Sequence, residues 1–147
     1  MGAKSQRDDE TQDLRGGWRQ TAGDFVAVNA FIISCRCEKS PLGPAPLAHL
    51  GDGFLDLILV RKCTRMQYLR YLAKLTNRRK ERCALHLHMP FVEAHRVRAF
   101  RFQALDQDGE PVNSDEATLT HGTSVWCVDG EILRNPNIIC WYVDPLF

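Results

Sequence analysis

The stretch that decides the fold is Ala48-His-Leu-Gly-Asp-Gly-Phe-Leu-Asp-Leu-Ile-Leu-Val60, in which a glycine turn leads directly into an apolar run. The run from Leu55 to Val60 predicts a β-strand. Before it, the loop from Ser40 to Gly53 contains three prolines, at positions 41, 44 and 46. Prolines at this density exclude a helix or a central strand. Taken by itself, Gly51-Asp52-Gly53 is a tight turn at the start of the strand.

Other apolar runs on either side of this strand predict a mostly β fold. Residues 25–33 (FVAVNAFII) form a nearly continuous apolar run, which is typical of a strand buried on both faces. Residues 91–102 predict a long strand in which the apolar positions change face, as a β-bulge would cause. Residues 125–128 and 138–143 predict the last strands. With one helix, these strands predict a mostly antiparallel β fold, a sandwich or a flattened barrel.

One amphipathic helix follows the strand at Leu55–Val60. Thr64 is a typical N-cap, and apolar residues recur after it at helical spacing over about 12 residues: Tyr68, Leu69, Leu72, Ala73 and Leu75. Residues 61–82 carry nine Lys or Arg and a single acid, Glu81, so the helix lies in a basic segment. Such a segment is either a solvated face or a surface for an anionic membrane or calmodulin.

The composition is that of an ordinary globular domain. The chain has 147 residues, 44% hydrophobic residues and a formal net charge of +1, so its overall charge indicates no nucleic-acid partner. The polar residues 1–17 predict a disordered terminus, and residues 18–147 predict one domain. The sequence has neither a signal-peptide core nor an apolar run of membrane-spanning length, which predicts a cytoplasmic protein with six reduced cysteines. Zinc ligation by Cys35, Cys37 or residues 83–88 is a weaker alternative, because the spacings fit no standard zinc site.

The tripeptide Asp-Gly-Glu occurs twice, at 108–110 and at 129–131. The first copy lies in a polar stretch, so we expect a surface turn. Apolar residues flank the second copy on both sides, Val125–Val128 and Ile132–Leu133, and we expect them to anchor it in a core. Its acids form either a hairpin tip or a pair that faces a nucleotide through a metal ion.

Several motifs occur in a fixed order, at residues 23–30, 41–53, 55–63, 91–97 and 129–131. In this order they resemble the C-terminal lobe of the diacylglycerol, sphingosine and ceramide lipid kinases. The segment 48–63, the following residues 65–70 and Trp126 are most similar to the ceramide kinase branch. The resemblance runs from about Trp18 to the C-terminus.

The resemblance implies an antiparallel β-sandwich-like lobe of an enzyme that phosphorylates ceramide to ceramide 1-phosphate with ATP and Mg²⁺. It implies that Asp129, Gly130 and Glu131 contact ATP and that Asp52 ligates a structural Mg²⁺, with the carbonyls of His49 and Phe54 as weaker candidates. It also implies a lipid pocket, for which the candidates are Leu57, Leu59, Leu69 and Leu72. Calmodulin binding through residues 61–80 is also implied by the resemblance, whereas peripheral membrane association is expected from the basic amphipathic helix itself.

The family's nucleotide-binding lobe, with its phosphate loop and its catalytic acid, has no counterpart in these 147 residues. We therefore expect no catalytic residue in this chain, and no kinase activity from the chain alone. The alternative is a non-catalytic β-domain that binds a lipid or a protein partner.

Overall fold

The computed structural model describes residues 11–13, 17–76, 89–105, 109–112, 125–135 and 137–141. These residues fall into two compact units. The first lies within Met1–Leu50 and Leu55–Arg96, and the second lies within Gly51–Phe54 and Val97–Phe147. The elements follow in this order: β1 (Thr11–Asp13), β2 (Arg19–Thr21), β3 (Phe25–Phe31), β4 (Leu55–Arg61), α1 (Arg65–Leu75), β5 (Val92–Val97), β6 (Ala99–Phe102), β7 (Trp126–Val128), β8 (Glu131–Leu133) and β9 (Ile138–Trp141). Across these described ranges, a mostly β fold with antiparallel sheets and a single short helix is thus confirmed.

The first unit is built around β4, the middle strand of the sheet β3-β4-β5. Side chains of a strand alternate between its two faces. On one face of β4, Ile58 and Val60 form a core with Tyr71 of α1, Phe91 and Val92. On the opposite face, Leu55 and Leu59 are buried as well. Burial on both faces explains why the sequence of β4 is an almost unbroken apolar run.

Strand β3 pairs antiparallel with β4, but it does not have the two buried faces that its sequence predicts. It lies at the edge of the sheet, and each of its residues is at least partly exposed. Val26, where the register shifts, is 48% exposed, and Ile32 and Ile33 lie beyond the strand's end and are exposed. The prediction of a strand buried on both faces is wrong here, because an edge strand is covered less completely than the middle strand β4.

The long strand predicted at residues 91–102 is two strands. Val92–Val97 form β5 in the sheet of β4, whereas Ala99–Phe102 form β6 and pair antiparallel with β9. Arg98 lies at the bend between them. The change of apolar face in the sequence therefore marks the point where the chain leaves one sheet for another, and not a bulge within one strand.

At the N-terminus, Thr11–Asp13 form β1 and pair with β2, with Thr11 opposite Thr21. These three residues lie inside the segment 1–17 for which the sequence predicts disorder. The rest of that segment, up to residue 16, lies outside the described residues.

Candidate functional site

The second Asp-Gly-Glu copy forms the tip of a two-residue β-hairpin. Strands β7 and β8 pair antiparallel, with Val128 opposite Glu131, so Asp129 and Gly130 are the two turn residues. Both have positive φ, 49° at Asp129 and 92° at Gly130, which is the requirement of a type I′ turn. The turn makes Glu131 the first residue of β8, and all three residues of the motif are exposed.

In the part of the chain that the structure describes, the flanks of this hairpin do not form the expected core. Val125 and Val128 are exposed, as are Ile132 and Leu133, and Ile132 reaches 65% exposure. Within the described residues, Trp126 is the residue of the hairpin that packs against other aromatic rings. The centroid of the Trp126 ring lies 5.2 Å from that of the Phe102 ring, in an edge-to-face arrangement, and 6.2 Å from that of the Phe100 ring. The prediction that apolar residues on both sides anchor Asp129–Glu131 in a core is therefore wrong, because the flanking aliphatic side chains point to solvent in this chain.

The first Asp-Gly-Glu copy lies between Leu105 and Pro111, which form an isolated antiparallel bridge. Gly109 and Glu110 are exposed, as expected for a surface turn, and Asp108 lies outside the described residues. Asn137 fixes the base of this loop, because its side-chain amide accepts from the Ala104 amide (2.9 Å) and donates to the Val112 carbonyl (2.7 Å).

Asp52 has the geometry of a turn residue. Its carboxylate accepts a hydrogen bond from the amide of Phe54 at 2.9 Å, which is an Asx turn two residues long. Gly53 has φ +73°, a conformation suited to glycine. Among the described residues, no group of three or more His, Cys, Asp or Glu side chains could hold a metal ion. The local geometry supports the turn and offers no multi-carboxylate magnesium site, so metal binding by Asp52 remains a prediction.

The four lipid-pocket candidates do not form one cluster in the first unit. Leu59 is buried and Leu57 is half-buried, on the face of β4 opposite Ile58 and Val60. Leu69 and Leu72 lie on α1, which packs on the other face through Tyr71, and they are exposed.

A depression of about 230 Å³ in the second unit is lined by a different set: Arg101, Phe102, Gln103, Asn135, Asn137, Ile138 and Ile139. This volume is below that of a drug-sized pocket. The lipid pocket therefore remains a prediction.

A charged network at the end of β4 was missed in the sequence. Arg61 donates through Nε to Glu93 of β5, and its other nitrogens donate to the Thr21 hydroxyl (3.0 Å) and the Ala22 carbonyl (3.3 Å). The guanidinium also lies 5.4 Å from the centre of the Phe25 ring. Arg61 thus joins four segments of the first unit. An arginine that directly follows an apolar run is the sequence signal that could have revealed this network.

The pKa of Glu93 is lowered by this network. Partial burial acts to raise the pKa, but the hydrogen bonds from Arg61 and His95, together with their charges, outweigh it. His95 Nε2 lies 3.1 Å from Glu93 Oε2. Because the Arg61 side chain is only 12% exposed, it does not belong to the basic surface that was predicted from residue 61 onward.

Helix α1 is confirmed as an amphipathic helix with Thr64 as its N-cap, and the structure adds that the cap is a capping box. The Thr64 hydroxyl accepts from the Gln67 amide (3.3 Å), and the Gln67 side chain accepts from the Thr64 amide (2.8 Å). Ser40, from the proline-rich loop, donates to the Leu75 carbonyl at 2.7 Å and satisfies one of the last helical carbonyls. Tyr71, which the apolar spacing did not include, is its buried residue, 4% exposed.

The basic surface predicted around α1 is present in its described part. Arg65, Arg70 and Lys74 are exposed, and Lys62 forms an exposed ion pair with Asp24 at 2.9 Å. Residues 77–88, which contain the remaining basic residues and Cys83, lie outside the described part. The described cysteines are free thiols, namely Cys35, Cys37, Cys63, Cys127 and Cys140. Within the described part of the chain, we find no helix long and apolar enough to cross a membrane.

Comparison with known proteins identifies the family. The sequence profile described as the ceramide kinase C-terminal domain matches residues 1–146, nearly the whole chain. The chain therefore belongs to the ceramide kinase family of lipid kinases, and the match is to the C-terminal domain. Its motifs at residues 48–63 and 129–131 lie within the matched range.

Among curated proteins, ceramide kinase from Mus musculus is 38% identical over 136 residues, which cover 82% of this chain and 25% of the mouse protein. Ceramide kinase from Arabidopsis thaliana is 38% identical over 117 residues, which cover 80% of this chain and 16% of that protein. Sphingosine kinase 1 from Arabidopsis thaliana is 28% identical over 123 residues and covers 80% of the chain. The chain thus spans a quarter or less of the length of the ceramide kinases it matches. No solved structure matches.

Proposed function

We propose that this chain is the C-terminal lobe of an enzyme that transfers the γ-phosphoryl group of ATP to the primary hydroxyl of ceramide. The observation that carries the proposal is the hairpin turn at Asp129–Gly130, in a domain of the ceramide kinase family. Phosphoryl transfer depends on positioning and on neutralisation of charge. Two acids at a turn of defined geometry can meet a metal-bound nucleotide that another lobe holds.

In this proposal, Asp129, Gly130 and Glu131 contact ATP from the side of the C-terminal lobe. Mg²⁺, when bound with the nucleotide, neutralises the charge of the phosphates. The carboxylates of Asp129 and Glu131 are oxygen ligands of the type that Mg²⁺ prefers. The general base and the phosphate loop belong to the nucleotide-binding lobe of the complete enzyme. The acyl chains of ceramide lie against apolar side chains of this lobe, with Leu57, Leu59, Leu69 and Leu72 as candidates.

The test compares the two Asp-Gly-Glu copies in a complete enzyme that carries this lobe. Glu131→Gln keeps the size of the side chain and removes its charge, so we expect kcat to fall about 100-fold or more, as for the loss of one transition-state contact. Glu110→Gln is the matched control in the other copy, and we expect near-normal kcat. The chain alone should transfer no labelled phosphate to ceramide. The opposite ranking of the two variants would contradict the proposal.

A second candidate, a non-catalytic domain that binds a lipid or a protein, is favoured by the exposed aliphatic side chains of β7 and β8. Phosphorylation of ceramide by the complete enzyme distinguishes the two functions. In either case, we expect Arg65, Arg70 and Lys74, the exposed basic side chains of α1 within the segment 61–80, to contact an anionic partner, either calmodulin or an anionic membrane. We also expect peripheral association with a membrane.

A further inference from the structure

The hairpin that carries Asp129–Glu131 has little support of its own. Among the described residues, strands β7 and β8 pair only with each other, and each has three residues. An isolated two-stranded hairpin is marginally stable in water, so packing on another element must hold it in one position. In the same part of the chain, the aliphatic side chains on and beside its strands are between 41% and 65% exposed. Trp126, which is half-buried, is the exception.

Strand β6 provides the surface on which Trp126 packs. Phe100 and Phe102 are alternate residues of β6 and therefore lie on one face of it, where both rings approach the Trp126 ring. Phe100 is buried, and β6 pairs with β9 along its whole length. Just beyond the end of β6, the Asn137 side chain accepts a hydrogen bond from the Ala104 amide at 2.9 Å. Trp126 thus joins the hairpin to a strand whose own position is fixed by pairing.

The register of the hairpin places Glu131 on the same face as Trp126. Residues directly opposite each other in an antiparallel pair share a face, and so do alternate residues of one strand. Trp126 and Val128 are alternate residues of β7, and Val128 lies opposite Glu131. Two residues of a strand span about 7 Å, at about 3.3 Å per residue. A displacement of the Trp126 ring is therefore transmitted over a short distance to Glu131 and to the turn at Asp129.

We propose that Trp126 is a positioning residue, whose packing on Phe100 and Phe102 holds the Glu131 carboxylate where it meets the metal-bound nucleotide. This inference rests on the proposed function, in which Glu131 contacts ATP and Trp126 does not. A group that stabilises a transition state must be held to within about 0.5 Å of its productive position. A hairpin released from β6 reaches that position for only a fraction of the time, and kcat falls with that fraction.

The first experiment is a double-mutant cycle in a complete enzyme that carries this lobe. Trp126→Ala removes the packing on β6, so we expect kcat to fall about 10- to 100-fold while the KM for ceramide changes little. Trp126→Phe keeps a ring against Phe102 and should retain kcat within about threefold. Added to Glu131→Gln, Trp126→Ala should cost less than about twofold more, because the charge that it positions is already gone. Residues that act independently would multiply their losses instead.

Ile132→Ala is the matched control on the same hairpin. Ile132 lies opposite Cys127, on the face away from Trp126, and is 65% exposed, so this variant should retain kcat. Hydrogen exchange of the chain alone gives a measurement that does not depend on activity. Trp126→Ala should speed exchange of the amides in residues 125–133 about 10-fold and leave the exchange of β3 and β4 unchanged.

The outcomes separate this inference from the function on which it rests. Losses that multiply in the double variant would overturn the role of Trp126 and leave the proposed reaction intact. Equal losses of kcat in Trp126→Ala and Ile132→Ala would do the same, and so would exchange that rises equally throughout the chain, because that result indicates general unfolding. Full activity of Glu131→Gln would refute the proposed contact with ATP, and the positioning role with it.

Discussion

Among the glycines with positive φ that the structure describes, Gly43 should lose the most stability when it is replaced by alanine. It follows the small bridge between Cys37 and Ser40, and its amide donates to the Ser40 carbonyl at 3.0 Å. Its φ is +71°, and a Cβ at this position would stand 1.7 Å from the Ser34 carbonyl oxygen. Contacts between carbon and oxygen need about 3.3 Å. Gly43→Ala therefore forces the two backbone segments apart by roughly 1.5 Å.

The magnitude follows from what that movement breaks. The left-handed conformation costs alanine about 1 kcal/mol relative to glycine. A shift of this size is larger than the spread of donor–acceptor distances in a hydrogen bond. We expect it to break the Gly43–Ser40 hydrogen bond and one neighbouring bond between Ser40 and Cys37, which are 3.0–3.1 Å long. Each bond contributes about 1 kcal/mol. The free energy of unfolding should fall by about 3 kcal/mol in total.

Gly17→Ala is the matched control in the same unit, since Gly17 has φ +77° and none of the described residues has an atom within 4 Å of the added Cβ. It shares the conformational cost but not the clash, so its loss should be at most about 1 kcal/mol. Urea unfolding followed by circular dichroism measures both variants. At a slope of about 2 kcal/mol per molar urea, the midpoint should fall by about 1.5 M for Gly43→Ala and by at most about 0.5 M for Gly17→Ala. Equal midpoints for the two variants would refute the clash.

Two further variants test the charged network and the turn at Asp52. Because the pKa of Glu93 is lowered in the folded state, its charge stabilises the fold above the unfolded value of 4.5, and this contribution is lost as the pH falls through the lower folded value. The stability difference between the native chain and Glu93→Gln, measured by urea unfolding, should thus be largest at neutral pH and shrink below pH 4.5; a difference independent of pH would contradict the role of the charge. Asp52→Ala removes the hydrogen bond to the Phe54 amide and should lower the unfolding free energy by about 1 kcal/mol. Added Mg²⁺ should stabilise the native chain but not this variant if Asp52 ligates the ion, and identical Mg²⁺ responses would reject the metal site.

The sequence by itself predicts the features that depend on a few neighbouring residues. The apolar run of β4, the N-cap at Thr64 and the Asp-Gly turn at 129–130 are visible in the sequence, because each depends on the properties of a few adjacent residues. The order of motifs also led to the right family. These features need no knowledge of what packs against them.

Tertiary structure decided which apolar residues are covered. Both β3 and β4 are apolar runs, yet β4 lies in the middle of the sheet and β3 at its edge, and neighbours in the sheet are set by distant segments. Likewise, Tyr71 is the buried residue of α1 although the apolar spacing did not include it, and Leu69, which the spacing did include, is exposed. Arg61 is held by Glu93, 32 residues away, and by Thr21, 40 residues away. Apolar periodicity indicates that a side chain favours burial. Which segment buries that side chain depends on contacts between residues far apart in sequence, and these form only in the folded chain.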